Sequence, residues 1–512
     1  MVSIDGVSHK SLLTHKDLSI VVNQAESKVR KLNILVGVAA DLRTLKINNA
    51  DIHTLSAALL ERMYYCKVDG KFVEPPQVTR TMVSTRLNSF RAKLRRCFGS
   101  NPTKLSPEEF VEMFRGRKRT IYQNALEEFY STGVQKKHAV STAFVKCEKV
   151  NPTKAPRCIQ PRNPVYNVGL GCYLKHIEHR IYKAIAKCFD DDDIVVAKGI
   201  NVVELGEVVE RKWRHFVDPI AVGLDATKFD MHVSAAMLEW EHSFYQMLYR
   251  GDPELVRLLK MQIKNEGVGF CEDGSLKYKV KGRRFSGDVN TALGNCVIMC
   301  AMIWSYAKER GVRIKFMNNG DDCIVFMERS DYNTFSNGLD VWFLDLGFRM
   351  VAEDPVDQLE KVEFCQMRCL STVRGYTMVR NFDTAREKDS ASFLPLANEK
   401  ETRKWLWAVG ECGLALTGGV PVFQEFYKWY MRHGVVSNLK DTVQMSSGAQ
   451  FLAQRLESKE CEITADARVS FMEAWGMTPD EQVAMEEYYA SLDFVYEVNH
   501  IDKLEESHGA PF

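Results

Sequence analysis

The chain has 512 residues, 45% apolar and 26% charged, with 68 Lys and Arg against 67 Asp and Glu and a formal net charge of +1. This composition excludes a disordered scaffold and, at roughly 100–200 residues per domain, allows about three domains or one large multi-lobed enzyme. Residues 293–307, the longest apolar stretch, are interrupted by Asn295 and Ser305 and fall short of the ~20 residues that cross a bilayer, so no transmembrane segment is expected. Met1 is followed by Asp5, His9, Lys10 and His15 without an apolar run, which predicts no secretory signal. Fourteen cysteines scattered along such a chain read as reduced thiols. Cys296/Cys300 and Cys365/Cys369 have one-turn spacing, but with no CxxC or His cluster beside them they read as small buried hydrophobes.

In chain order, the first 215 residues read as mostly helical pieces, with loops at Glu74-Pro-Pro76, residues 99–102 and residues 151–156. Charge is unevenly distributed. Residues 81–190 hold 21 Lys and Arg and 8 Asp and Glu, a net of +13, whereas residues 451–512 hold 4 and 14. Three basic clusters, at 91–96, 115–119 and 146–162, together predict a polyanion surface, although each alone is better read as a solvated face. Residues 220–225 predict a short buried strand. After Ser286-Gly-Asp288, residues 291–310 predict a helix with Leu293, Val297, Ile298, Ala301 and Trp304 on one stripe and Gly311 as its stop. A hairpin follows, with strand-like runs at 313–317 and 323–327 around Asn318-Asn-Gly-Asp-Asp322. Past Leu370 the pattern reads as helical again, and Thr478-Pro-Asp-Glu481 marks a capped helix start.

The chemistry concentrates where acidic residues meet strand ends. Asp321 and Asp322 are adjacent at the hairpin tip, Asp225 ends the earlier strand, and Asp230 follows five residues later. Two Mg²⁺ ions need several carboxylates delivered from different strands, a demand that Asp225, Asp321 and Asp322 can meet. Thr291 and Asn295 share a helical face, so with Ser286 in the preceding loop three polar side chains can converge on one sugar. Upstream, Lys146, Lys149, Arg157 and Arg162 are placed to grip a triphosphate, and Arg suits bidentate phosphate contact.

In this order, basic loop, D-x4-D, SG-x4-T-x3-N and GDD, the motifs resemble those of viral RNA-dependent RNA polymerases. Gly116-Arg-Lys-Arg119 with Tyr122, Gln160-Pro-Arg-Asn-Pro164 with Tyr166-Asn-Val168, residues 286–295 and Phe364-Cys-Gln366 resemble the replicases of the tombusvirus family of plus-strand RNA viruses. The resemblance covers roughly residues 55–380. It implies an α+β right hand with fingers, a palm of antiparallel sheet plus helices, and a thumb. Residues 1–215 would form fingers and an N-terminal extension, 216–232 palm, 233–285 a fingers insertion, 286–374 palm and 375–512 thumb. Asp225 and Asp321 would be principal metal ligands with Asp322 assisting, for Mg²⁺ with Mn²⁺ able to substitute. Asp230, Ser286, Thr291 and Asn295 would read the ribose 2′-hydroxyl, Arg157 would hold the incoming triphosphate, and Lys146, Lys149 and Arg162 would line the entry channel. RNA template and product, nucleoside triphosphates and a membrane-anchored viral replicase partner are the implied partners, in host cytoplasm at membrane-associated replication complexes. One departure stands out. Many such polymerases carry a Lys after the hairpin, where this chain reads Val351-Ala-Glu-Asp-Pro355, and Lys361 comes later. Reverse transcription, which also uses paired aspartates, is disfavoured by Asp230, and a purely RNA-binding role leaves the aspartates unexplained.

Overall fold

The computed structural model of the chain describes residues 1–38, 45–439 and 452–501. A four-stranded antiparallel sheet runs in the order Lys315–Asn319, Asp322–Glu328, Pro219–Ala226, Met350–Ala352. Its central strands are apolar at nearly every position because both faces are covered. Ile220, Val222, Leu224, Val325 and Met327 enter the largest core, while their alternates Ala221, Ile324 and Phe326 enter a second core with Val202, Leu205 and Val209. The pleat's period of two divides one continuous apolar run between two layers. Its carboxylates stand at the strand ends, where burial stops.

The helix Thr291–Arg310 begins and ends as the sequence predicts, with Gly311 as its left-handed C-terminal residue at φ 68°. The predicted stripe is overturned. Every residue from 293 to 303 is buried, because this helix runs through the largest core against the sheet and the helices Arg80–Phe98 and Ala235–Leu248. A helix apolar all round is an interior helix. Cys296 and Cys300 are fully buried within it.

The reading of residues 1–215 as mostly helical also needs correction. Val2–Asp5 pairs with Lys31–Ile34 and, in parallel, with Asn499–Ile501, while Lys31–Ile34 pairs with Ala391–Ser392. The two ends of the described chain therefore share one sheet. A five-stranded sheet joins Leu18–Val22, Gly274–Lys281, Lys264–Cys271, Ser141–Val145 and Cys158–Ile159, and this pairing places Lys146 and Arg157 at adjacent strand ends. Past Leu370, the strands Met367–Thr372 and Gly375–Arg380 form a hairpin before the helices Glu399–Thr417, Phe423–His433, Ala465–Trp475 and Pro479–Ser491. The last of these carries the expected capping box between Thr478 and Glu481. Among the described residues no helix is long and apolar enough to cross a membrane.

Candidate active site

The acidic hairpin is built by register. Asp225 lies directly opposite Asp322 across the antiparallel ladder, and Asn319 pairs with Asp322 on the other side. The turn residues are thus Gly320 and Asp321, one position later than the Asn-Gly signal suggests. Gly320 takes φ 86°, which costs glycine little. Buried Asn318 clamps the tip, its Nδ2 donating to the Gly320 carbonyl at 2.7 Å. Asp225, Asp321 and Asp322 are all exposed. Like charges directly opposite on a sheet repel, and the Asp322 carboxyl is pushed up to about 6, first by desolvation, then by Asp321 and Asp225. Glu353, whose N–H donates to the Gly223 carbonyl at 2.9 Å, adds a further carboxylate near Asp225. Its pKa is raised by desolvation, then by Glu363 and Asp225.

Among the described residues no group of three or more His, Cys, Asp or Glu side chains is placed to hold a metal ion. An open set of hard carboxylate oxygens nevertheless suits Mg²⁺, which is usually held by one or two carboxylates completed by water and substrate phosphate.

Beside the hairpin, Asp230 accepts two hydrogen bonds, from Ser286 Oγ at 2.5 Å and Asn295 Nδ2 at 2.8 Å. Burial raises its pKa, against the pull of those two bonds. The expected convergence of Ser286, Thr291 and Asn295 is therefore corrected for one member. Thr291 Oγ1 turns back to the Phe285 carbonyl at 2.7 Å, where it secures the first helical turn. Lys228, between the two aspartates, sits at φ 47° and donates through Nζ to the Glu61 carbonyl at 2.6 Å.

The four predicted cations divide. Arg157 is 55% exposed at its side chain and lies 3.5 Å from Glu148, which also holds Lys146 at 2.8 Å. A recess of about 90 Å³ brings Arg157 together with Asp230, Ser286 and Asp321. Arg162, expected in the channel, is instead buried: it pairs with Asp288 at 2.5 Å and donates to the Ala139 carbonyl and Asn265. It locks the Ser286-Gly-Asp288 loop to residues 160–162, helped by the Gln160 N–H on the Ser286 carbonyl at 2.7 Å. Lys149 is also elsewhere than expected, its ammonium donating to the Lys388 carbonyl and lying 6.0 Å from the Phe393 ring centre.

Sequence reasoning missed Arg62, Lys228 and Arg283, which line the same recess, and Lys198, whose charge opposes the rise of the Asp322 pKa. Arg62 and Lys198 come from stretches of chain far from the acidic motifs, whereas Lys228 lies inside D-x4-D and Arg283 just before Ser286, where nothing in the motif pattern singles them out. Lys361, left without a place by the sequence, lines a separate cavity with Arg368 and Trp475. Cys365 and Gln366 form the tight turn of Phe364-Cys-Gln366 at φ 53° and 61°, and Cys365 Sγ accepts from Asn319 Nδ2 at 3.3 Å, bringing this turn against the acidic hairpin.

Carboxylates facing guanidinium and ammonium groups across one cleft suit a phosphate-bearing ligand carried with a divalent cation, and so define a phosphate-handling class of protein. Comparison with known proteins makes the class specific. The family model described as viral RNA dependent RNA polymerase matches residues 18–497, further at both ends than the motifs reach. The RNA-directed RNA polymerase of melon necrotic spot virus is 40% identical over 484 residues, 93% of this chain and 61% of that protein. That of turnip crinkle virus is 40% identical over 479 residues, 92% of this chain and 61% of the relative. That of tobacco necrosis virus (strain A) is 37% identical over 480 residues, 93% and 66%. The chain belongs to the viral RNA-dependent RNA polymerase family, among the polymerases of tombus-like viruses. It spans about three-fifths of the length of the first two relatives.

Proposed function

We propose that this chain carries out template-directed RNA synthesis from nucleoside triphosphates, copying a viral plus-strand RNA genome. The single observation that carries the reading is the opposition of Asp225 and Asp322 across one ladder, with Asp321 at the tip sharing a recess with Asp230 and Ser286. In the reaction an RNA 3′-hydroxyl oxygen forms a bond to the α-phosphorus of the triphosphate and releases its proton to solvent, the bond to the bridging oxygen breaks, and pyrophosphate leaves with that electron pair. Asp225 and Asp321 would hold divalent cations, Mg²⁺ or in its place Mn²⁺, with Asp322 assisting. When bound, these cations supply charge stabilisation for the attacking and leaving oxygens.

The chain's own groups bind and orient. The recess is below the ~300 Å³ of a whole ligand pocket, so it receives one part of a nucleotide. Asp230, Ser286 and Asn295 suit that part to be a ribose bearing a 2′-hydroxyl, with Thr291 holding the helix start behind them. Arg157, exposed across the recess, takes the triphosphate, and Lys146 extends the cationic rim. Residues 351–355 offer no lysine as a proton donor to pyrophosphate. A site selecting deoxynucleotides gains nothing from this polar trio, which weighs against reverse transcription.

In right-hand terms, the central sheet and the helix Thr291–Arg310 serve as palm, the five-stranded sheet with the helices of residues 80–213 as fingers, and the helices after residue 398 as thumb. Val2–Asp5 and Lys31–Ile34 lie with the thumb side through the shared sheet, whereas Leu18–Val22 between them joins the five-stranded sheet of the fingers. RNA, nucleoside triphosphates and a membrane-anchored replicase protein are the partners, at membrane-associated complexes in host cytoplasm. The test is incubation of the purified chain with a short RNA template, four nucleoside triphosphates and Mg²⁺. A product complementary to the template supports the reading, and no product with either Mg²⁺ or Mn²⁺ refutes it.

A further inference from the structure

Beside the sugar-facing side chains, and lining the same recess through Arg284, lies a buried ion pair that the proposed chemistry does not use. Arg284 and Glu241 are 2% and 0% exposed, and Arg284 Nη2 donates to Glu241 Oε2. Tyr245 donates to the other Glu241 oxygen at 2.7 Å. Arg284 Nε donates to Asn295 Oδ1 at 3.0 Å, and its backbone N–H donates to the Asp230 carbonyl at 2.9 Å. Gly294 makes room for the pair, since a Cβ there would stand 2.2 Å from Arg284 Nη2 and 2.4 Å from Glu241 Oε1.

Stability does not account for this arrangement. A buried ion pair is commonly no better than apolar side chains of like volume, and Arg284 Nη1 is left without an acceptor among the described residues. Orientation of the Asn295 amide does account for it. With the amide carbonyl facing a guanidinium and its NH₂ facing the Asp230 carboxylate, a flipped amide would set donor against donor and acceptor against acceptor. The amide so held donates to Asp230, which lines the recess with Ser286. We infer that Arg284, anchored by Glu241, is a positioning residue that holds the Asn295 amide in the orientation needed to recognise a ribose 2′-hydroxyl. This deepens the sugar-recognition reading above and rests on it.

The experiment measures, on one RNA template with the full chain, the ratio of ribonucleotide to 2′-deoxyribonucleotide incorporation. It uses Arg284→Lys, the double variant Arg284→Met with Glu241→Met, and Asn295→Ala. Lysine keeps the charge but cannot reach both Glu241 and Asn295 with a planar fork. The double variant removes the pair as a unit, so no lone buried charge remains. The expected result is a fall of about tenfold or more in the ratio for all three, with RNA affinity unchanged. A general loss of fold would lower use of both sugars together and leave the ratio where it was. Two outcomes overturn the positioning role alone while Asn295→Ala still lowers the ratio: Arg284 variants that keep the wild-type ratio, or failure of both to fold, which makes the pair structural. An unchanged ratio in Asn295→Ala refutes the sugar reading itself, and the positioning role with it.

Discussion

Arg157 and Arg162 lie five residues apart in one basic segment, yet one faces the cleft and the other is enclosed. Removing Arg162 leaves Asp288 buried and uncompensated, so Arg162→Ala should cost about 3–5 kcal/mol of stability, read as a lowered Tm or loss of soluble protein. Arg157→Lys should keep the fold and raise the apparent KM for nucleotides, because the ammonium loses the bidentate fork; an unchanged KM would remove Arg157 from the triphosphate. The aspartates were legible because strand and turn signals next to them in sequence fix where they project. Arg162 was not legible, since its partner Asp288 is 126 residues away. Lys149 offers a pH test. Desolvation lowers its pKa from 10.5 to about 8, so at pH 8 and below the folded state bears the full cost of the buried ammonium. Between pH 8 and 10.5 the unfolded chain binds more protons, and stability rises with pH through that window. The Tm of the wild type should therefore climb relative to Lys149→Met across it, and parallel curves would contradict this placement of Lys149.

At the scale of elements, the acidic hairpin depends on one backbone conformation. A Cβ on Gly320 would meet no atom within 4 Å, so the φ of 86° is the whole obstacle to substitution there. Gly320→Ala should cost about 1–3 kcal/mol of strain, while the displaced Asp321 should lower incorporation by roughly 100-fold. Thermal melting and single-nucleotide extension on the same sample separate the two effects; equal, small losses in both would mean that the tip does not position Asp321. Elements with local punctuation were readable in the sequence: Gly311 closes its helix, and Thr478 with Glu481 opens another. Val2–Asp5 was not, because its partners are at Lys31–Ile34 and Asn499–Ile501, and a four-residue strand with distant partners leaves no local signal. The hairpin of Met367–Thr372 and Gly375–Arg380 turns through Val373 and Arg374, a pair that carries no turn chemistry of its own.

Over the whole molecule the net charge of +1 conceals the net +13 of residues 81–190, part of which is paired within the protein. Along the helix Arg80–Phe98, Arg86 pairs with Glu309 at 2.6 Å, Lys93 pairs with Asp190 at 3.1 Å and Arg95 donates to the Gly99 carbonyl at 2.6 Å, so these cations are committed within the protein. RNA affinity should fall with salt at a log-log slope of about −0.7 per phosphate contacted. Lys93→Ala should leave that slope unchanged; a shallower slope in that variant would move the RNA path to the Arg80–Phe98 helix. The most direct test of the central claim is templated nucleotide addition by the wild type and Asp321→Asn, with RNA affinity measured in parallel. The expected result is Mg²⁺-dependent extension by the wild type, a loss of about 10³-fold or more in the variant, and RNA binding within about twofold of wild type, since Asp321 contributes no phosphate contact. Near-normal extension by folded Asp321→Asn would contradict it.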